Sequence, residues 1–313
     1  MPRRVVNRPC QQGDLIPTLF LIALAGLAGQ LVDGSLGMAF GVTSTTVLLA
    51  GGIAPAAASQ LVHLAELGTP LASGASHWRF GNIDWRTVSI MALPGAVGGF
   101  VGAVVLSSLS LSAAEPVISG VLVALGMLVL VRFARRRAPR RQIAMRLPAR
   151  LLAPLGLGAG AVDAMGGGGW GPVGTSALLA SDRMEPRKVV GSISASEFLV
   201  TLGASIGFLF GLGGAGIQLS YALALMGGGV IAAPFAAWAV KRLPAAVLGC
   251  AVGGLIAVIN ADPVLDVMAL SGVARSLVYA AILAAWVAGV AAAARLARRP
   301  GEAMGPTASP TPA

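Results

Sequence analysis

The sequence predicts an all-α polytopic membrane protein, with about eight to eleven membrane segments in two inverted-topology repeats and broken or re-entrant glycine-rich hairpins. Three observations predict this. Of the 313 residues, 56% are hydrophobic and only 11% are charged, and the mean hydropathy is +0.82. A soluble chain of this length needs far more charge to cover its surface. The apolar runs approach the roughly 20 residues a helix needs to cross hydrocarbon. Finally, one polar motif occurs twice, embedded in apolar sequence.

Taken in order, the apolar segments fall at 15–32, 36–53, 56–78, 88–110, 115–134, 151–163, 165–181, 188–210, 217–240, 243–260 and 273–294. The segment 56–78 reads as one continuous helix. The segment 151–163 is short for a full crossing, and with its glycine-rich neighbour it reads as a broken or re-entrant hairpin. The 43 glycines suit a helical membrane protein, since small residues let helices approach closely. The first residues lack the compact apolar stretch and small-residue cleavage site of a signal peptide, so the first apolar run is expected to stay in the mature chain. Residues 1–313 read as a single transmembrane domain. It divides into a first repeat (15–134), a basic cytoplasmic loop (135–150) and a second repeat plus final helix (151–294). The tail at 300–313 has no apolar face to bury and is expected to be disordered.

Charge sets the orientation. The net charge is +10, but Lys and Arg lie between apolar runs, as cytoplasmic loops require, so no nucleic-acid partner is implied. The stretch "RFARRRAPRRQIAMRLPAR", residues 132–150, holds eight arginines and no acid and is expected inside. Counting crossings from it places Arg79, Arg86, Arg183, Arg187, Lys188, Lys241 and Arg242 inside, and Glu115, Asp262 and Asp266 outside. The same count puts the N-terminus outside despite Arg3, Arg4 and Arg8, unless one early segment is re-entrant. Both placements stay open. Cys10 and Cys250 are far apart and form no metal-ligand spacing.

The repeat is a spacing. Asp33 to Pro55 is 22 positions and Asp163 to Pro186 is 23, while Pro55 to Glu66 and Pro186 to Glu197 are each 11. Each half reads as an Asp, a glycine-rich run, a Pro-containing loop and a helix with a Glu inside it. Five segments between the copies put them on opposite sides of the membrane. That is an inverted repeat, an architecture characteristic of secondary transporters.

A charge at mid-membrane costs about 2.5–3.5 kcal/mol on insertion scales, so each of these four acids needs a partner, a proton or a wet cavity. Asp33 and Asp163 read either as interfacial helix caps or as organisers of a substrate site. Glu66 and Glu197, deep in helical runs, read as proton-coupling and substrate-binding groups, together with His63. Ser59, His63, Glu66, Pro70 and His77 share one face of a continuous helix, with Ser73 at its edge. His63 and Glu66, one turn apart, are within reach of each other. On that helix His77 lies about 21 Å beyond His63, at the cytoplasmic mouth. His63 and Glu66 supply two ligand types with no third in evidence, so no metal and no cofactor are implied.

In the second half Ser194, Glu197, Thr201 and Ser205 line a comparable face, where the hydroxyls either bond back to their own helix or meet a polar substrate. Gly34, Gly37, Gly167 and Gly168 permit backbone N–H groups to turn toward an anion, or else only close packing. Trp170 either stacks over the substrate or sits at an interface. No Lys or Arg lies between Arg8 and Arg79, so a buried anion would be held by N–H groups and protonated histidine.

"DGSLGMAFGV", "PAAASQLVHLAELGT", "SGASHWRFGNIDW" and "DAMGGGGWGPV…ASEF" resemble the sulfite exporter TauE/SafE family of bacterial membrane proteins, from about residue 20 to 295. The resemblance implies a multi-pass export permease of the cytoplasmic membrane, not an enzyme. Its substrates would be small sulfur-containing anions such as sulfite or sulfoacetate, moved by alternating access. The implied partners are that small anion and membrane lipid. No HExxH or GxSxG constellation points to an intramembrane enzyme. A membrane scaffold or sensor would not need paired carboxylates in both halves. The oligomeric state is not written in the sequence.

Overall fold

The computed structural model describes residues 15–36, 38–135, 147–181, 183–212, 219–240 and 245–297. Among these residues the secondary structure is helical, with no strand. The first half runs α1 (Leu15–Leu36), α2 (Phe40–Ala50), α3 (Pro55–Glu66), α4 (Thr69–Arg79), α5 (Trp85–Ser108) and α6 (Leu111–Ala134). The second half runs α7 (Ala149–Gly166), a π-helical turn (Trp170–Thr175) leading into α8 (Ser176–Ala180), then α9 (Pro186–Leu212), α10 (Leu219–Val240), α11 (Ala245–Ile259), α12 (Ala261–Val267) and α13 (Gly272–Ala297). This is the expected all-α membrane architecture. Among the described residues, six stretches are long and apolar enough to cross a bilayer, at 16–33, 85–108, 111–134, 188–212, 246–267 and 272–296. Phe40–Ala50 and Leu219–Ala232 are shorter apolar stretches.

Local chemistry explains the element ends. Pro55 opens α3 at a position where its missing N–H costs nothing. The Asp84 carboxylate caps α5, accepting from Thr87 N–H at 2.8 Å. The helix expected over 56–78 is in fact two, parted at Leu67–Gly68. Pro70 is the reason, because a proline ring clashes with the carbonyl four residues back and cannot donate to it, which stops α3 at Glu66. The glycine-rich break in the second half also falls later than expected. Helix α7 continues to Gly166 and ends on Gly167 at φ 63, a left-handed cap whose N–H bonds the Asp163 carbonyl.

The two halves are interleaved. Helix α1 of the first half packs along α10 of the second, and α7 of the second packs along α5 of the first. Both crossings are tight for the same reason. A methyl at Gly26 would strike the Leu225 carbonyl and one at Gly228 the Ala23 carbonyl. In the α5–α7 crossing, methyls at Gly98 and Gly160 would strike the carbonyls of Leu157 and Gly95. Backbone-to-backbone approach of this kind is how membrane helices gain packing without a hydrophobic driving force. Helix α6 packs on α11, and α13 lies outside against both. Arg275 on α13 bonds Asp262 and Asp266 of the α12 region, and Tyr279 bonds Asp262 at 2.7 Å. Most of the arginine-rich stretch, the N-terminal arginines, Cys10, Lys241, Arg242 and residues 300–313 lie outside the described residues.

Candidate substrate site

Two helix breaks meet at the centre of the fold. The first, between α1 and α2, passes through Met38 and Ala39. The second, between α7 and the π-helical turn, passes through Gly167, Gly168 and Gly169. They touch directly: the Thr45 hydroxyl donates to the Gly167 carbonyl at 3.0 Å. A methyl on Gly41 would collide with Gly167 and Gly168, and one on Gly168 with Val42 N and Gly41. Gly168 has φ 149, a backbone conformation that L side chains rarely adopt.

Each break is closed by its aspartate in the same way. Asp33 and Asp163 sit in the last turns of α1 and α7, not at helix N-termini. Asp33 accepts from the N–H of Phe40, seven residues on. Asp163 Oδ1 accepts from the N–H of Gly169 at 2.6 Å and of Trp170, again seven residues on, at 2.8 Å. The side chain therefore reaches over the break and satisfies the free donors that open the next helical element. The aromatic seven residues after each Asp is visible in the sequence, and reasoning from spacing passed over it.

Asp163 has a further partner. His63 Nε2 stands 3.1 Å from Asp163 Oδ2, and His63 Nδ1 stands 2.7 Å from the Ser59 carbonyl. A carbonyl can only accept, so Nδ1 carries a hydrogen and one further proton is shared along Nε2···Oδ2. Ser59 Oγ donates to the Ala164 carbonyl at 2.6 Å, so one turn of α3 is pinned twice to α7. The side-chain partner of His63 is Asp163, not the neighbouring Glu66 that helix spacing suggests.

Around the breaks lies a cavity of about 240 Å³. Its lining includes Asp33, Glu66, Asp163 and Glu197, with Ser194, Thr175, Pro70 and His77 beside them, and no Lys or Arg among the described residues. Glu66 and Glu197 interact electrostatically with each other and with both aspartates. All four acids singled out by their apolar context thus come to one place. The volume falls below the 300–1,000 Å³ of pockets for drug-sized ligands, which suits a small ion.

Other sequence candidates fall differently. Gly168 and Ser194 line the cavity, whereas Gly167 lies behind it against Thr45. Gly34 ends up in the last turn of α1, and Gly37 lies outside the described residues. His63 is completely buried behind Asp163 and does not line the cavity. Thr201 bonds back to the carbonyls of Glu197 and Phe198 at 3.0 Å. The Ser205 hydroxyl is buried without a partner among the described residues. Trp170 takes neither expected position: it is completely buried against Gly95, and its indole N–H donates to the Ile193 carbonyl at 3.1 Å. His77, on α4 beyond the Leu67–Gly68 break, lines the cavity together with Glu66.

A family model described as "Sulfite exporter TauE/SafE" matches residues 21–262. The chain is also 46% identical, over 273 residues, to a protein of Bacillus subtilis (strain 168) described as "Probable membrane transporter protein YtnM"; the match covers 87% of this chain and 91% of that one. No solved structure matches.

Proposed function

Since the chain belongs to the sulfite exporter TauE/SafE family and is a multi-pass membrane transporter, we propose that it exports a small anion together with protons across the cytoplasmic membrane. The anion is a sulfur oxyanion or organosulfonate such as sulfite or sulfoacetate. The observation that carries this is the cavity itself, where two helix breaks and four carboxylates meet. An anion beside four carboxylates is repelled unless those carboxylates hold protons. Glu66 and Glu197 are the proton carriers, because Asp163 is already engaged by His63 and two N–H groups, and Asp33 by Phe40. Protonated, the two glutamic acids become O–H donors to the anion. Release of the anion and release of the protons are then one event.

The two halves act as inverted repeats around this site. Three features support that reading: the seven-residue Asp-to-aromatic link in each half, the direct contact of the breaks, and the reciprocal α1–α10 and α7–α5 crossings. Rocking of one packed unit against the other would expose the cavity to each side in turn.

The test is flux in liposomes holding the purified protein, with sulfite, thiosulfate, sulfate and small sulfonates, with and without a pH gradient. Transport of at least one sulfur anion, accelerated by the gradient, is expected. The acidic lining, with no Lys or Arg among the described residues, favours one competing reading, a transporter of cations. Divalent-metal flux with no anion flux in the same liposomes would establish that reading instead.

A further inference from the structure

We infer that His77 is the substrate's direct cationic contact and the residue that sets the site's affinity for anions. This rests on the anion reading above and goes beyond it by naming what holds the negative charge. The argument is one of elimination among donors. Among the described residues, the cavity lining contains no Lys or Arg. The backbone N–H groups of Gly169 and Trp170 are occupied by Asp163, and that of Phe40 by Asp33, so these three donors go to the protein's own carboxylates. His63, the only other histidine, is wholly buried and engaged on both ring nitrogens. Among the described lining residues, His77 alone is able to carry positive charge.

The surroundings of His77 fit a ligand contact. Its Nδ1 is buried and has no hydrogen-bond partner among the described residues. Buried polar atoms are almost always paired, so an orphan in a cavity wall is a place where something binds. His77 of α4 and Glu66 of α3 line one cavity. The ionisable groups facing that space are Asp33 of α1, Glu66 of α3, Asp163 of α7 and Glu197 of α9, all acids. An imidazole beside the two protonated glutamic acids, with Ser194 and Thr175 next to it, makes a ring of donors around a small oxyanion.

The experiment uses the full-length protein without a histidine tag, in liposomes at fixed pH. The probes are methanesulfonate and sulfoacetate, whose charges do not vary near neutrality. His77→Gln keeps an amide near Nε2, His77→Asn keeps one near Nδ1, and His77→Lys keeps the charge. Removing a charge-assisted bond should raise KM about ten- to hundred-fold in the Gln and Asn variants, with Vmax little changed. The Lys variant should recover most of that loss. KM values within about two-fold of wild type in the Gln and Asn variants would overturn the inference, as would a fall in Vmax at unchanged KM.

A second measurement does not depend on the variants folding. Diethyl pyrocarbonate modifies accessible imidazoles, and His63 is inaccessible, so modification of the wild-type protein reports on His77. Modification should abolish sulfonate flux, and saturating sulfoacetate should slow it several-fold. Modification at an unchanged rate would count against direct contact. A wild-type protein that moves no sulfur anion would remove the anion reading and this inference with it. Anion flux with an indifferent His77 would remove only the inference.

Discussion

His63 and Asp163, 100 positions apart, form a completely buried pair in which the imidazole Nε2 stands 3.1 Å from the carboxylate Oδ2. The pair joins α3 of the first half to the break of the second. Breaking one side of such a pair leaves an uncompensated buried group, which typically costs about 3–5 kcal/mol. His63→Leu should therefore lower the thermal midpoint in detergent markedly. Asp163→Asn should be milder, since its amide oxygen can still accept from Gly169 and Trp170. Combined, the two changes should cost less than their sum. A His63→Leu protein that melts like the wild type would show that the pair holds nothing together.

Glu66→Gln and Glu197→Gln should each insert and fold at least as stably as the wild type. An amide keeps the shape and removes a charge whose placement at mid-membrane costs about 2.5–3.5 kcal/mol. Each should nevertheless cut pH-driven flux severely, because an amide carries no exchangeable acid proton. Undiminished flux in both variants would end the proposed coupling role.

The contact between the breaks makes a steric prediction. Gly41→Ala and Gly168→Ala should each yield thermolabile or degraded protein, because the added methyl meets backbone that has nowhere to go. Gly158→Ala is the internal control: it meets nothing within 4 Å, and in a helix interior alanine gains up to about 1 kcal/mol over glycine. Expression level and melting temperature for the three variants decide the matter. Equal behaviour of all three would remove the contact from the account.

Sidedness is testable on the arginine-rich stretch. A cysteine at Arg140, in a background with Cys10 and Cys250 replaced, should react with an impermeant maleimide only after the cells are opened. Reaction in intact spheroplasts would invert the topology.

The sequence made the four acids legible, because a carboxylate in an apolar run has few explanations. Their convergence followed from the repeat spacing. Which nitrogen or hydroxyl each acid meets was not legible. Helix periodicity brings His63 to Glu66 within one segment, but the true partner comes from a helix distant in sequence, and no local pattern encodes that. The end of α3 was hidden for a related reason: 56–78 reads as one apolar run, but Pro70 cannot donate to the Glu66 carbonyl, and α3 stops there. Trp170 was misjudged because tryptophan favours membrane interfaces on average, while this one is needed as a large buried anchor between α7, α5 and α9. Asp33 and Asp163 look like N-caps in sequence, next to glycines. They cap from the wrong end, reaching forward across a break from the helix before it.

The reciprocal crossings of α1 with α10 and α5 with α7 bear on how the chain is made. Ribosomes add about 5–20 residues per second, so Gly26 waits roughly 10–40 s for Leu225, its packing partner 199 positions later, to be synthesised. During that interval the first half sits in the bilayer with the tight groove of α1 empty and Asp33 without its cavity. Neither half is a module that can mature and then dock. Quality-control proteases that extract unassembled helices therefore have their opportunity before the second half emerges. A chain severed between residues 136 and 146 should persist in cells only when both pieces are supplied together, each acting as the other's intramolecular chaperone.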